Sequence, residues 1–96
     1  MAMVVGVSTV RLHLPNSASL KNKRGVLKSL MARIRDEFNV SIAEVDDNDL
    51  WQSAVLGVAA VANDATYAQG MLNRVAEWIE EHRLDVTLVD FEIELV

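Results

Sequence analysis

The sequence predicts an α+β two-layer sandwich whose elements follow the order β-α-β-β-α-β. Three observations predict it. Stretches rich in β-branched and aliphatic residues begin near positions 3, 40, 51 and 84. The two intervening segments repeat apolar residues at helical spacing. Only the polar run DDND at 46–49 separates the second apolar stretch from the third, which makes those strands a hairpin.

Each element has its own justification. Residues 3–13, MVVGVSTVRLH, read as the first strand, and LPNSAS at 14–19 holds the one proline and reads as a loop. Ser19, with Ser17 as the other candidate, caps a first helix whose apolar face is Leu20, Leu27, Met31, Ile34 and Phe38. VSIAEVD at 40–46 is the second strand, and 51–62 the third, with Gly57 expected at a bulge or a close helix contact. Asp64 caps a second helix with the face Ala68, Met71, Leu72, Val75 and Ile79. Residues 84–96 form the fourth strand, in which Val89, Phe91, Ile93 and Leu95 alternate with Leu88, Asp90, Glu92 and Glu94. Right-handed crossovers then give a ferredoxin-like arrangement over residues 1–96 as a single domain, a four-stranded antiparallel sheet with two helices on one face.

The other sheet face is then open. Yet the first and third strands are apolar at both parities: Val5 and Val7 against Val4 and Val10, Leu56 and Val58 against Val55 and Val61. One-sided burial predicts cleaner alternation. A homodimer covering the open face is therefore expected, because large apolar patches are uncommon on monomers. Tolerance of small aliphatic residues on a half-exposed sheet is the alternative.

Composition narrows the function classes. With 96 residues and 51% apolar content, one core is possible without staples. The absence of cysteine excludes disulfides, thiolate metal sites and a cysteine nucleophile. MAMVVGV lacks a charged leader region and a cleavage site, so no signal peptide is expected. The apolar run AVLGVAAVA at 54–62 is too short to cross a bilayer. A cytoplasmic protein without membrane contact is expected. Neither GxGxxG nor GxxxxGK[ST] occurs, and DDND lacks the spacing, Gly and Glu of a calcium loop. His13 and His82 are the only histidines, and no HExxH spacing accompanies them. No cofactor or metal is expected, and no nucleophile–base pair is visible, so the expectation is a non-enzymatic protein.

Charge is unevenly placed. Residues 1–35 hold seven basic residues and no acid, whereas residues 36–96 hold two basic residues and fourteen acids, for a net charge of −5. The predicted topology gathers the start of the first helix, the 46–50 turn and the end of the second helix at one end. Lys21, Lys23 and Arg24 stand where the helix dipole favours anions, and Glu77, Glu80 and Glu81 stand where it favours cations. On one reading these faults cancel, Lys21 and Arg24 pairing with Glu77, Glu81 or the acidic turn. On the other, the cations meet phosphate: Lys21, Lys23, Arg24 and Lys28 make contact, with Arg35 peripheral, along a stripe beside the apolar face. The two central strands lack the aromatics on which RNA-recognition domains stack bases, so nucleic acid is not expected on the sheet. Trp51, the one aromatic near the polar turn, reads as a plug at the core edge, with a stacking residue as the alternative. A small-ligand site lined by His13, Asn16, Ser17, Asp46, Asp49 and Trp51, in a dimeric regulatory domain, is the alternative. A protein-interaction module using an edge strand is a third reading, opposed by Asp90, Glu92 and Glu94.

SLKNKRGVLKSL at 19–30 and FNVSIAEVDDNDLWQSAVLGVAAVAND at 38–64 resemble the YlxP-like family of small bacterial proteins of unknown function. The matching residues are Ser19, Leu20, Lys21, Lys23, Arg24, Glu44, Asp46, Asp49, Leu50, Trp51 and Gln52. The resemblance implies a ferredoxin-like fold. Members are often encoded beside translation-initiation and ribosome-maturation genes, which implies ribosomal RNA or the ribosome as partner. It implies no catalytic residue.

Overall fold

Val4–His13 (β1), rich in small and β-branched residues, is one of two inner strands of the sheet, its backbone paired on both sides. The computed structural model describes residues 2–96. After β1 come α1 (Leu20–Glu37), β2 (Ser41–Asp46), β3 (Ser53–Ala62), α2 (Ala65–His82) and β4 (Thr87–Leu95). The sheet order is β2-β3-β1-β4, every pairing is antiparallel, and the fold is ferredoxin-like.

Both caps form as the sequence predicts. The Ser19 hydroxyl accepts from Asn22 N at 3.0 Å, and the Asp64 carboxylate accepts from Tyr67 N at 2.8 Å. Ser17, the other candidate, is buried and donates its hydroxyl to Ser19 O. The core lies between the helices and one sheet face. Val10 and Leu12 of β1 pair with Leu56 and Ala54 of β3, beneath Leu27, Leu30 and Ile34 of α1 and Met71, Leu72, Val75 and Ile79 of α2. Leu30 takes the central place expected of Met31, which is half-buried.

Two bulges change which residues face the helices. Leu12 opposes Leu88 while Arg11 opposes Asp90, so Val89 is an extra residue. Leu88 thereby joins Phe91 and Ile93 against the core, and Val89 is exposed, contrary to the strict alternation expected of this strand. In β2, Val45 is the extra residue between Glu44 opposite Leu56 and Asp46 opposite Val55. Glu44, two residues after the buried Ile42, faces the helices by ordinary alternation, and the bulge leaves Val45 and Asp46 both exposed. Gly57 meets Val45, not a helix: a Cβ there would come within 2.9 Å of Val45 Cγ1 on the open face.

Candidate functional site

The charged end is assembled around Lys23. Residues 23, 27, 30 and 34 recur at helical spacing and all point inward, so Lys23 occupies the first core position of α1 and is 0% exposed. Its Nζ donates to Asp47 O at 2.7 Å, Leu50 O at 2.7 Å and Ser53 O at 2.9 Å. An ammonium has three hydrogens, and the three carbonyls take them. Glu44 Oε2, 2.8 Å away, is therefore a counter-charge and not a fourth hydrogen-bond acceptor, consistent with its having no hydrogen-bond partner of its own. Burial of a charge is tolerable only with such partners. Lys23 cannot reach phosphate, which corrects its place among the predicted contacts.

Lys23 holds down the turn between β2 and β3. Asp47 adopts a left-handed backbone with φ 58°, and Leu50 N donates to Asp47 O at 3.0 Å. Gln52 ties the turn to the 14–19 loop: its Nε2 donates to Pro15 O and Ser17 O, both at 3.2 Å, and its carbonyl accepts from Leu14 N at 2.9 Å. His13 Nδ1 lies 2.9 Å from the same carbonyl; a carbonyl only accepts, so the proton is on Nδ1. Outward from this braced turn stand Leu50 and Trp51, 52% and 55% exposed. Trp51 is thus no core-edge plug. That role falls to Trp78, which is buried and stacked on the His82 ring at 4.9 Å.

The cations expected to contact phosphate divide. Lys21, Arg24 and Lys28 are exposed on α1, and no ion pair within 4 Å involves them among the described residues. Their expected pairing with Glu77, Glu81 or the acidic turn is absent from the structure. Arg35 donates to Ile42 O at 3.0 Å and braces β2. Lys21 borders an open cavity of about 600 Å³ that also meets Gly25, Ser29, Arg83 and Asp85. Arg83 is already committed to Asp85 at 2.7 and 2.9 Å, and this hydrogen-bonded partner holds the Asp85 carboxyl below its ordinary value.

The alternative ligand set is not gathered into one place. His13 and Trp51 border a shallow cavity of about 500 Å³ with Leu50, Gln52 and Ser53. Asn16, Ser17, Asp46 and Asp49 do not line it, and the buried Ser17 hydroxyl is occupied. Among the described residues no group of three or more His, Asp or Glu is placed to hold a metal ion.

The open sheet face carries Val7, Thr9, Ala43, Val45 and Ala59 around a shallow concavity of about 400 Å³. At its β4 side Arg11 meets Asp90 at 3.0 Å and Glu92 at 3.8 Å. The Asp90 hydrogen bond, foremost, raises the Arg11 pKa above its ordinary value. No aromatic side chain of β1 or β3 is available for base stacking, as the sequence predicts. No helix among the described residues is long and apolar enough to cross a membrane.

Comparison with known proteins agrees with this architecture. Residues 5–93 match the family described as "Protein of unknown function (DUF503)". The chain is 35% identical over 77 residues to the "Uncharacterized protein YlxP" of Bacillus subtilis (strain 168), covering 80% of this chain and 84% of that one. Two designed proteins share the fold alone. "De novo designed protein Foldit4" has a TM-score of 0.57 at 14% identity, over 98% of this chain and 96% of that chain. The solution structure of a "De novo designed protein LFR1 1 with ferredoxin fold" has a TM-score of 0.56 at 14% identity, over 100% of this chain and 84% of that chain.

Proposed function

We propose, for this chain, which belongs to the DUF503 family of proteins of unknown function, a non-enzymatic role in the cytoplasm: binding RNA or the ribosome through α1. The observation that carries the reading is the exposed, ion-pair-free row Lys21, Arg24 and Lys28 on one helix of a protein whose net charge is −5. Unneutralised cations beside an acidic remainder attract phosphate locally and repel it elsewhere, which limits unspecific binding. Arg35, tied to the β2 backbone, stays peripheral.

The test is binding to ribosomal subunits and ribosomal RNA across a salt series, with Lys21→Glu/Arg24→Glu alongside. Three single-strand phosphate contacts predict a slope of log K against log salt of about −2. Binding by wild type with that salt dependence, lost in the double variant, supports the role. Unchanged binding by the double variant refutes it.

A homodimer formed through the open face is a companion reading, favoured by the exposure of Val45 and Val61 beside Val7 and Ala59. Light scattering checks it: Val61→Asp is expected to convert a dimer to a monomer without loss of fold. A monomeric wild type at micromolar concentration refutes it.

A further inference from the structure

We infer that Trp51 is a stacking platform for one unpaired base of a single-stranded RNA whose phosphates pass over Lys21 and Arg24. The inference rests on the RNA reading above and specifies the form of RNA that the site takes.

The argument begins with an imbalance. A Trp 55% exposed and a neighbouring Leu 52% exposed stand on a turn held by several side-chain hydrogen bonds. Lys23 holds that turn by three carbonyls, and Gln52 ties it to two more. None of this bracing buries the Trp51 ring. It fixes the backbone from which the ring projects. A rigid aromatic face loses little freedom when a partner stacks on it, which is how preorganised anchors gain affinity. Trp78, stacked on His82, is unavailable for that role.

Position and charge select the partner. The 2.7 Å bond from Lys23 Nζ to Leu50 O places the Trp51 turn at the same end of the molecule as the start of α1, whose outer side carries the exposed Lys21 and Arg24. An aromatic face beside cations is the combination that binds single strands, base on ring and phosphate on cation. Asp46 and Asp49 are exposed on the same turn, with Asp47 between them half-buried, and they repel phosphate from it. A base is neutral and tolerates them. A duplex keeps its bases paired inside and presents two rows of phosphate, which suits neither the ring nor the acids.

The experiment is a fluorescence and affinity titration of the intact protein with oligouridylate, oligoadenylate and a mixed-sequence RNA duplex at low salt. Single strands are expected to quench the exposed Trp51 and to bind more tightly than the duplex. Trp51→Ala is expected to weaken single-strand affinity roughly 5- to 150-fold, the loss that follows removal of one base–aromatic stack. Trp51→Phe is expected to keep the affinity within about threefold while losing the quench, since a second aromatic preserves the stack. Full affinity in Trp51→Ala, with loss in Lys21→Glu/Arg24→Glu, overturns this inference and leaves the RNA reading standing. Loss of ribosomal-subunit binding in Trp51→Ala, with oligonucleotide binding unchanged, overturns it in favour of a ribosomal protein. Absence of binding by wild type to any RNA overturns both.

Discussion

Replacement of Lys23 by Met removes one charge from the interior and keeps most of the aliphatic stem. It takes the donor from Asp47 O, Leu50 O and Ser53 O and leaves the Glu44 carboxylate, 15% exposed, without its counter-charge. Breaking a buried pair from one side costs about 3–5 kcal/mol. The turn carbonyls lie near solvent and regain water in part, which places the expected loss near ~3 kcal/mol, the low end of that range. A domain of this size has a total stability of roughly 5–15 kcal/mol, so most molecules still fold at 25 °C. At about 4–8 °C per kcal/mol, the melting temperature falls by roughly 12–24 °C. Circular dichroism melts and urea titrations measure it, with Lys21→Met as the exposed control, expected within about 0.5 kcal/mol of wild type. Adding Glu44→Gln to Lys23→Met is expected to restore part of the loss, because the uncompensated charge goes with it. Lys23→Met within about 1 kcal/mol of wild type refutes the reasoning: the turn would then be held by its other bonds, with water serving the three carbonyls.

Four further substitutions separate packing, helix propensity and titration. Gly6→Ala sets a Cβ 2.9 Å from Leu72 Cδ1 inside the core, and a chemical melt is expected to show a loss of about 1–3 kcal/mol from overpacking; at Gly57 the same 2.9 Å contact is with the exposed Val45, which rotates into solvent, so Gly57→Ala is expected to lose less. A methyl group at Gly25 would meet nothing within 4 Å, so Gly25→Ala is expected to stabilise α1 by about 0.5–1 kcal/mol, seen as a higher melting temperature. The Asp85 carboxyl is held below its ordinary 3.8, chiefly by the Arg83 hydrogen bond, so its stabilisation is whole above that pH and is lost as pH falls through the lower folded value. Melting temperature measured from about pH 5 to pH 2 is expected to fall less steeply in Asp85→Asn than in wild type, and parallel curves would remove Asp85 from the account.

The fold is legible where one physical rule acts alone. Period-two and helical repeats place all six elements, and the side-chain oxygens of Ser19 and Asp64 mark both helix starts. The site is less legible because competing rules meet there. Lys23 stands at core spacing with Leu27, Leu30 and Ile34, but its charge suggests a surface residue. The signal is the inward phase itself, with Glu44 on the facing strand as the available counter-charge. The β4 bulge has no local marker in the sequence, whereas the bulge at Val45 faces Gly57, the glycine expected at a bulge or a close helix contact; Glu44 points inward by ordinary alternation with Ile42. Trp51 departs from expectation for a related reason. Burial is the ordinary fate of tryptophan, and only the bonds made by Lys23 and Gln52 show that the turn carries it outward.

The uneven charge of the chain takes a different meaning once each cation is placed. Of the seven basic residues in the first 35, Arg11 is matched by Asp90 and Glu92, and Lys23 by Glu44. Arg35 is tied to a backbone carbonyl. The two halves therefore do pair, but across the sheet and beneath the turn, not between the helix ends where the dipoles suggest it. The remaining cations are Lys21, Arg24, Lys28 and Arg33, all on exposed positions of α1 with no ion pair among the described residues. If internal pairing were the reason for the early cations, these four would be the ones nearest an acid, and they are not so placed. A dipole penalty at the start of α1 persists without a compensating acid in its first turn. On the function proposed above, the anion that relieves it is a phosphate chain, which meets that need along the whole stripe where a single small anion meets it at one point.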